Sequence, residues 1–495
     1  MDVQPSVFIA IDLGAGSGRV IAVIHDASCL SLDEVHRFES PAVDRDGGMF
    51  WDIDLIWSEI KSGLREAALK YDAGTISSIG VDSWGVDYGW MGGNQELLQS
   101  PYCYRDPRTD GLMDEVERSL GKSTIFEETG IQFMPINTLY QLRADLKQNA
   151  ELPKDADCFL MIADMINHLL TGRMVCERTN ASTTQLYNPR TLDWSYTLAR
   201  GIGLSAAVMP EIIDPGTELG MLRSEIAAEA GLAQIPVIAV GSHDTASAVA
   251  GVPAGKSRFA YLSCGTWALL GTELVEPLIS KEAMDLNFTN ETGVANTFRL
   301  LKNITGLWLV QECRRTWQEL DGKPISYDQL AEIASDAPAL TAFVDPDAPE
   351  FAHGGDLPRA IRDFCERTGQ RVPETRGETL RIAVESLALK AAVTLDQLES
   401  LTDQPTTVLH VIGGGVRNTL LMQCLANATQ RTVVAGPVEA TAFGNAIVQM
   451  MASGRLNSLA EGRGLLAETI ATATFLPKEN WLEQRQTFDL LLAKC

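Results

Sequence analysis

Two hydrophobic patterns run along the chain. Short, wholly apolar runs alternate with longer stretches in which apolar residues recur every three or four positions. Val7–Asp12 (V-F-I-A-I-D) and Arg19–Ile24 (R-V-I-A-V-I) are of the first kind and predict buried strands, separated by the turn L-G-A-G-S-G. Glu34–Phe38 and Met49–Ile53 extend them as a β meander, and Asp54 is placed to cap a helix over Leu55–Lys70. Ile76–Asp82 predicts a further strand, with Gly85–Trp90 pairing back on it as a hairpin. Hairpins followed by helix and strand predict a mixed sheet with helices packed on it.

Between Gly111 and Gly231 the pattern is mainly helical, as in Phe159–Leu170, with breaks at Pro135, Pro153, Pro189 and Pro210. This stretch is expected to elaborate the first domain. Ile235–Val240 then predicts a buried strand that runs into G-S-H-D-T-A-S, Gly241–Ser247, with a small-residue helical stretch over Ala246–Ala250. The second half repeats the opening scheme: Arg258–Ser263 as strand, C-G-T as turn, Trp267–Gly271 as returning strand. Leu380–Leu398 is an amphipathic helix, Val408–Ile412 a strand that exits through G-G-G, and Asn418–Ala428 and Ala442–Met451 are helices. The expected division is into residues 1–247 and 248–495, without a Pro/Ser-rich linker between them.

Composition narrows the class. At 495 residues the chain exceeds one hydrophobic core, so two domains are expected. A net charge of −25 repels a phosphodiester backbone, which argues against nucleic acid as a partner. The nine cysteines include no C-x-x-C pair, and their number is odd, so reduced thiols are expected rather than disulfides or a zinc site. No basic-then-apolar leader and no apolar run near the roughly 20 residues that span a bilayer is visible. A cytoplasmic protein with no membrane partner is expected. No helix carries a sustained heptad seam, so the chain is read as a monomer.

The candidate chemistry sits in glycine turns and polar strand exits. D-L-G-A-G-S-G-R, Asp12–Arg19, is not a dinucleotide fingerprint, because its third glycine comes early and a strand, not a helix, follows. As a glycine-rich hairpin tip it offers backbone N–H groups, with Arg19 nearby, to phosphates; it also fits a tight turn that merely needs glycine. Asp12 is suited to hold Mg²⁺ through water. Ser263–Trp267, taken alone, reads as an ordinary β-turn, although Thr266 is able to donate to a phosphate. Gly413–Asn418 suits close approach of a ligand to backbone, or packing alone, and Gly436–Asn445 is placed to close the other side of a nucleotide base. Asp82–Asp87 combines carboxylates and an indole suited to sugar hydroxyls, whereas Tyr104–Arg108 reads first as a solvated turn. Asp244, before T-A-S-A-V, fits two roles, helix N-cap and catalytic carboxylate.

In order, these pieces resemble the FGGY family of carbohydrate kinases. The resembling segments are I-D-L-G-A-G-S-G-R at the start, W-D-I-D at 51–54, I-G-V-D-S-W-G-V-D at 79–87 and Y-R-D-P-R-T at 104–109. G-I-Q-F-M-P-I-N-T-L-Y-Q-L at 130–142 and T-N-A-S-T-T-Q-L at 179–186 follow. The second half adds S-H-D-T-A-S-A-V, Y-L-S-C-G-T-W, L-K-N-I-T-G-L-W-L-V-Q, I-G-G-G and A-G-P-V-E-A-T. The resemblance implies an α/β, two-domain actin/hexokinase-like (ribonuclease H-like) fold with a cleft between lobes. It implies Asp244 as the proton-accepting residue, and Gly85, His243, Asp244, Thr245 and Asn303 as sugar contacts. Ala15, Gly16, Ser17, Gly18 and Arg19 match the first phosphate loop, and Thr266, Gln311 and Gly414 further ATP contacts. The implied activity is MgATP-dependent phosphorylation of a small ketose, L-rhamnulose at its C1 hydroxyl. The alternatives are another ketose or polyol (fuculose, xylulose, glycerol) or a catalytically silent sugar- or nucleotide-binding protein.

Overall fold

The computed structural model describes residues 5–26, 29–72, 74–255, 258–352 and 354–494. The chain forms two compact units, Met1–Lys256 with Glu273–Leu300 and Ala440–Ile470, and Ser257–Thr272 with Leu301–Glu439 and Ala471–Cys495.

In the first unit β1 (Ser6–Leu13) pairs antiparallel with β2 (Ser17–Asp26), and β2 with β3 (Cys29–Glu39). On its other side β1 pairs in parallel with β4 (Ile76–Ser83). Beyond β4 lie β6 (Pro236–Ile238) and β5 (Glu218–Met221), completing six strands in the order β5-β6-β4-β1-β2-β3. β1 is buried along its length and apolar from Val7 to Ile11 because both its faces are covered. Val7, Ile9, Ile11 and Leu13 join a core with Ile56, Ile60 and Leu64 of the helix Ile53–Lys70. Phe8 and Ala10 join a second core with Phe443, Ala446 and Ile447 of the helix Ala440–Ala452. Asp12 follows on the second face, buried near the end of the strand.

Five local expectations change. The cap of the helix Ile53–Lys70 is Asp52, whose Oδ1 accepts from Leu55 N at 3.0 Å; Asp54 lies inside the first turn, where its charge still favours the helix dipole. Gly48–Phe50 leaves the meander and pairs with Val43–Arg45 as a separate hairpin. Tyr88–Gly92 does not pair back on β4; it pairs antiparallel with Ala156–Met161, a strand that takes the start of the expected helix Phe159–Leu170. That helix begins at Ile162, since a short apolar run does not by itself separate strand from helix. Asp244 is not an N-cap: the helix starts at Asp244 itself, and His243 holds the capping position without a side-chain cap bond.

In the second unit β7 (Ala260–Cys264) pairs antiparallel with β8 (Trp267–Leu274) and in parallel with β9 (Val408–Ile412). β9 continues in parallel to β10 (Thr432–Ala435), and β10 antiparallel to β11 (Ala473–Phe475). Helix Arg376–Thr402, opened by a capping box of Thr375 and Glu378, buries Leu380, Ala388 and Leu395. The described cysteines are free thiols, buried except Cys29, while Cys495 lies outside the described residues. Among the described residues no helix is long and apolar enough to cross a membrane.

Candidate active site

Two charged side chains close the β1–β2 turn. Asp12 and Arg19 are register partners across the strands, and the Arg19 guanidinium donates to Asp12 Oδ2. Between them Gly14 N–H donates to Ser17 O at 2.9 Å, and Ala15 and Gly16 are exposed at the tip. A side chain at Gly16 would meet nothing within 4 Å, whereas at Gly18 it would run into the Phe38 ring at 2.2 Å. Gly16 therefore offers open backbone, and Gly18 is glycine for packing.

β4 brings Asp82 beside Asp12, in register on the same face. Asp82 Oδ2 accepts from Asn445 Nδ2 at 2.6 Å, and Oδ1 has no hydrogen-bond partner among the described residues. Burial, then the charges of Asp12 and Asp244, push the Asp82 carboxyl well above its ordinary value. Asn445 had been expected to flank a nucleotide base; it is instead buried in the first unit, on the helix Ala440–Ala452. Gly444 allows that helix to pack here, since a Cβ would lie 1.8 Å from Ser247 O.

The loop after β6 is held by backbone bonds. Ser83 N–H donates to Ser242 O at 2.9 Å, Ser242 N–H to Glu177 Oε2 at 2.9 Å, and His243 N–H to Thr179 Oγ1 at 3.1 Å. Burial pushes the Glu177 carboxyl up to about 7, against the hydrogen bonds it accepts. Ser247 Oγ ties the first helical turn to Gly241 O at 2.7 Å. The loop so fixed presents Asp244, whose side chain is 32 % exposed. Its Oδ1 accepts from Thr245 Oγ1 at 3.1 Å and lies 3.4 Å from His243 Nε2. Burial, with a further push from Asp12, raises the Asp244 carboxyl above the ordinary value despite His243 and Thr245. On the other side of the imidazole, His243 Nδ1 lies 3.2 Å from Glu291 Oε2 and 3.1 Å from Arg299 Nη2.

Gly85, two residues beyond the Ser83–His243 bridge, is half-buried, and a Cβ there would meet Thr183 at 2.9 Å. Val86 is held at φ +67°, a left-handed conformation unusual for a β-branched residue, by Thr183 Oγ1 on its N–H and Thr138 Oγ1 on its carbonyl. Asp87 is not open to a sugar: it is buried, and its carboxylate accepts from Trp51, Trp84, Tyr104 N and Gln141. Burial raises it to about 6. Nor is Tyr104–Arg108 a solvated turn throughout. Asp106 is buried and accepts from Met49 N at 2.7 Å, and the Arg108 side chain is 4 % exposed, paired with Asp145.

In the second unit Thr266 Oγ1 donates to Gln311 Oε1 at 2.9 Å, and its carbonyl accepts from Gly306 N. The three glycines after β9 have separate reasons. Gly413 has φ +85°, and a Cβ on Gly415 would lie 2.5 Å from Cys264 Sγ. Gly414 alone faces open space, and it lines a cavity of about 290 Å³ with Leu307, Val310, Tyr327, Leu330 and Arg417. Asn303 lies half-buried on the strand Phe298–Thr305.

Models of the N-terminal and C-terminal domains of the FGGY family of carbohydrate kinases match residues 7–251 and 260–453. The chain belongs to the FGGY family of carbohydrate kinases. It is 42 % identical over 472 residues to the rhamnulokinase of Bacteroides thetaiotaomicron, covering 95 % of this chain and 96 % of that one. With the rhamnulokinase of Bacillus subtilis it shares 37 % over 474 residues, 96 % of each. Its fold is that of ligand-bound xylulose kinase from Lactobacillus acidophilus, with a TM-score of 0.81 at 18 % identity over 99 % of this chain and 96 % of that one. Plasmodium falciparum glycerol kinase with ADP gives a TM-score of 0.77 at 17 % identity, over 99 % and 97 %. The α/β, actin/hexokinase-like fold is thereby established for this sugar kinase.

The carboxylates also fit a family cofactor. Among the described residues no group of three or more His, Cys, Asp or Glu is arranged to hold a metal ion. Asp12, with the orphaned Oδ1 of Asp82 on the neighbouring strand, instead fits a hard cation that arrives on phosphates and keeps most of its waters.

Proposed function

We propose that this FGGY kinase transfers the γ-phosphoryl group of MgATP to the C1 hydroxyl of L-rhamnulose, giving L-rhamnulose 1-phosphate and ADP. The observation that carries the reading is the partly exposed Asp244 carboxylate, with His243 and Thr245 against it and its carboxyl raised above its ordinary value by burial. The choice of sugar rests on the near-full-length similarity to rhamnulokinases.

An alkanol is a poor nucleophile at neutral pH, but a loose phosphoryl-transfer transition state asks chiefly for alignment and charge stabilisation. Asp244 accepts a hydrogen bond from the C1 hydroxyl, aligns it and takes its proton as the new O–P bond forms. General-base assistance of this kind is worth roughly 10²–10⁴-fold. Gly85, His243, Thr245 and Asn303 hold the ketose. Ala15, Gly16, Ser17 and Gly18 of the β1–β2 turn, with Arg19, Thr266, Gln311 and Gly414, receive ATP, and the 290 Å³ cavity beside Gly414 suits its base. Asp12 would hold Mg²⁺ through water, and the ion would offset phosphate charge. In this reading residues 1–247 and 248–495 are the two kinase domains of a monomeric cytoplasmic enzyme.

A coupled assay for ADP release across ketoses, aldoses and polyols, with a no-sugar blank, tests the reading. The expected result is sugar-dependent release with the highest kcat/KM for L-rhamnulose. A higher value for fuculose, xylulose or glycerol overturns the substrate, release without sugar makes the protein an ATPase, and silence throughout makes it a binding protein.

A further inference from the structure

Behind His243, on the side away from Asp244, stands a buried ion pair to which the sequence reading gave no role. Arg299, on the strand Phe298–Thr305, has no exposed side-chain surface, and Glu291, on Thr289–Thr292, is 7 % exposed; Arg299 Nη2 lies 3.0 Å from Glu291 Oε2. Burial alone would push the Glu291 carboxyl up, but the Arg299 charge and His243 outweigh it and hold the carboxyl below its ordinary value. Glu291 is therefore an anion next to His243 at neutral pH.

Glu291 Oε2, Arg299 Nη2 and His243 Nδ1 form a near-equilateral triangle, with edges of 3.0, 3.1 and 3.2 Å. That shape discriminates between the two ways of placing the imidazole proton. If Nδ1 were bare, Nη2 would have to donate to Nδ1 and to Oε2 at once, although the two acceptors subtend an acute angle and its two hydrogens diverge by about 120°. If Nδ1 carries the proton, Oε2 accepts from both nitrogens, and carbonyl-type oxygens tolerate a broad spread of donor directions. Arg299 also anchors itself independently through Nε to Thr292 O at 3.2 Å.

We infer that Glu291 is a positioning residue for phosphoryl transfer: it holds the Nδ1 proton of His243, so that Nε2 is the nitrogen that faces Asp244 and accepts its proton. Among the described residues, Glu291 and Arg299 face one nitrogen of the imidazole and Asp244 the other. The consequence rests on Asp244 being the base, as proposed above. Once Asp244 has taken the hydroxyl proton, its O–H breaks in favour of an N–H on Nε2, leaving an imidazolium whose charge Glu291 faces; loss of that Nε2 proton to water then restores both the imidazole and the Asp244 carboxylate for the next turnover. The proton thus passes from the C1 hydroxyl to water while the O–P bond forms.

The test reads the tautomer directly. In the full-length protein labelled with ¹⁵N-histidine, the His243 signals are assigned by their loss in His243→Asn. His243 is expected to show a protonated Nδ1 and a bare Nε2. In Glu291→Gln that signature should weaken and kcat should fall about tenfold, a share of the roughly 10²–10⁴-fold worth of a general base, with the KM for ketose moving less. Glu291→Asp should restore part of both. A wild-type His243 protonated on Nε2, or an unchanged tautomer and kcat in Glu291→Gln, overturns the inference. The wild-type spectrum keeps the test decisive if removing Glu291 unfolds the protein by leaving Arg299 buried and unpaired. The reading needs no sugar, so failure of the kinase assignment and failure of this inference are distinguishable.

Discussion

The turns β1–β2 and β7–β8 are built alike and equipped differently. In each, a buried strand pairs antiparallel with its successor through a glycine turn and in parallel with a later strand on its other side. At the first, charges gather: Asp12 and Arg19 on the hairpin and Asp82 on the parallel neighbour, with the Asp244 charge acting on Asp82. At the second, the corresponding positions are neutral. Thr266 is bonded to Gln311, and the parallel neighbour exits through three glycines, of which only Gly414 is open. One construction thus serves two chemistries. Charges that change partner during a reaction are suited to stabilising its transition state, while neutral donors and bare backbone are suited to holding a substrate that is already charged.

The sharpest way to break this contrast is to remove charge from the first exit without changing shape. Asp244→Asn should lower kcat by roughly 10²–10⁴-fold. ATP and ketose should still bind, as seen by calorimetry, because the amide keeps an oxygen for Thr245 and the loop is held through Glu177 and Thr179 rather than through Asp244. Near-normal turnover would remove the base and with it the distinction between the two exits.

The neutral exit should respond in binding instead. Thr266→Ala removes one hydroxyl donor to a phosphate, and a hydrogen bond to a charged group is worth about 1.5–3 kcal/mol, so the KM for ATP should rise roughly tenfold or more. The KM for ketose and kcat should move little in steady-state assays. A larger change in the ketose KM would mean that this turn serves the sugar, and the two exits would then not divide the work by charge.

How much of this was legible in the residues depends on whether the signal is local. Val408–Ile412 matches its strand end to end, and β1 was recognisable because a strand buried on both faces writes an unbroken apolar run. The signal fails where the partner is remote. Tyr88–Gly92 finds its mate nearly seventy residues on, at Ala156–Met161, and no turn residue announces that pairing. The site divides the same way. Asp12, Arg19, Asp244 and Thr266 stand at strand exits beside glycine, where polar residues break an apolar pattern. Glu291, Arg299, Glu177 and Asn445 lie inside ordinary strand and helix text, and their importance comes from burial that only the fold creates. Asp87 shows the reverse case: a carboxylate in a sugar-like setting is fully engaged by two indoles, a backbone amide and Gln141.

The smallest expected effect is a control on the contrast. Asp52 is an acid of the same unit, yet it caps the helix that covers the other face of the sheet, accepting from Leu55 N at 3.0 Å and pairing with the half-exposed Arg45 at 2.9 Å. An exposed ion pair adds little, so the cap should dominate, and Asp52→Ala should cost about 1 kcal/mol. In thermal unfolding that is a fall of roughly 2–4 °C for a unit of this size, with kcat and both KM values unchanged. If Asp52→Ala instead reduced kcat as Asp244→Asn is expected to, loss of an acid anywhere in the first unit would disturb catalysis. The charges at the strand exit would then have no special standing over the neutral groups at the other.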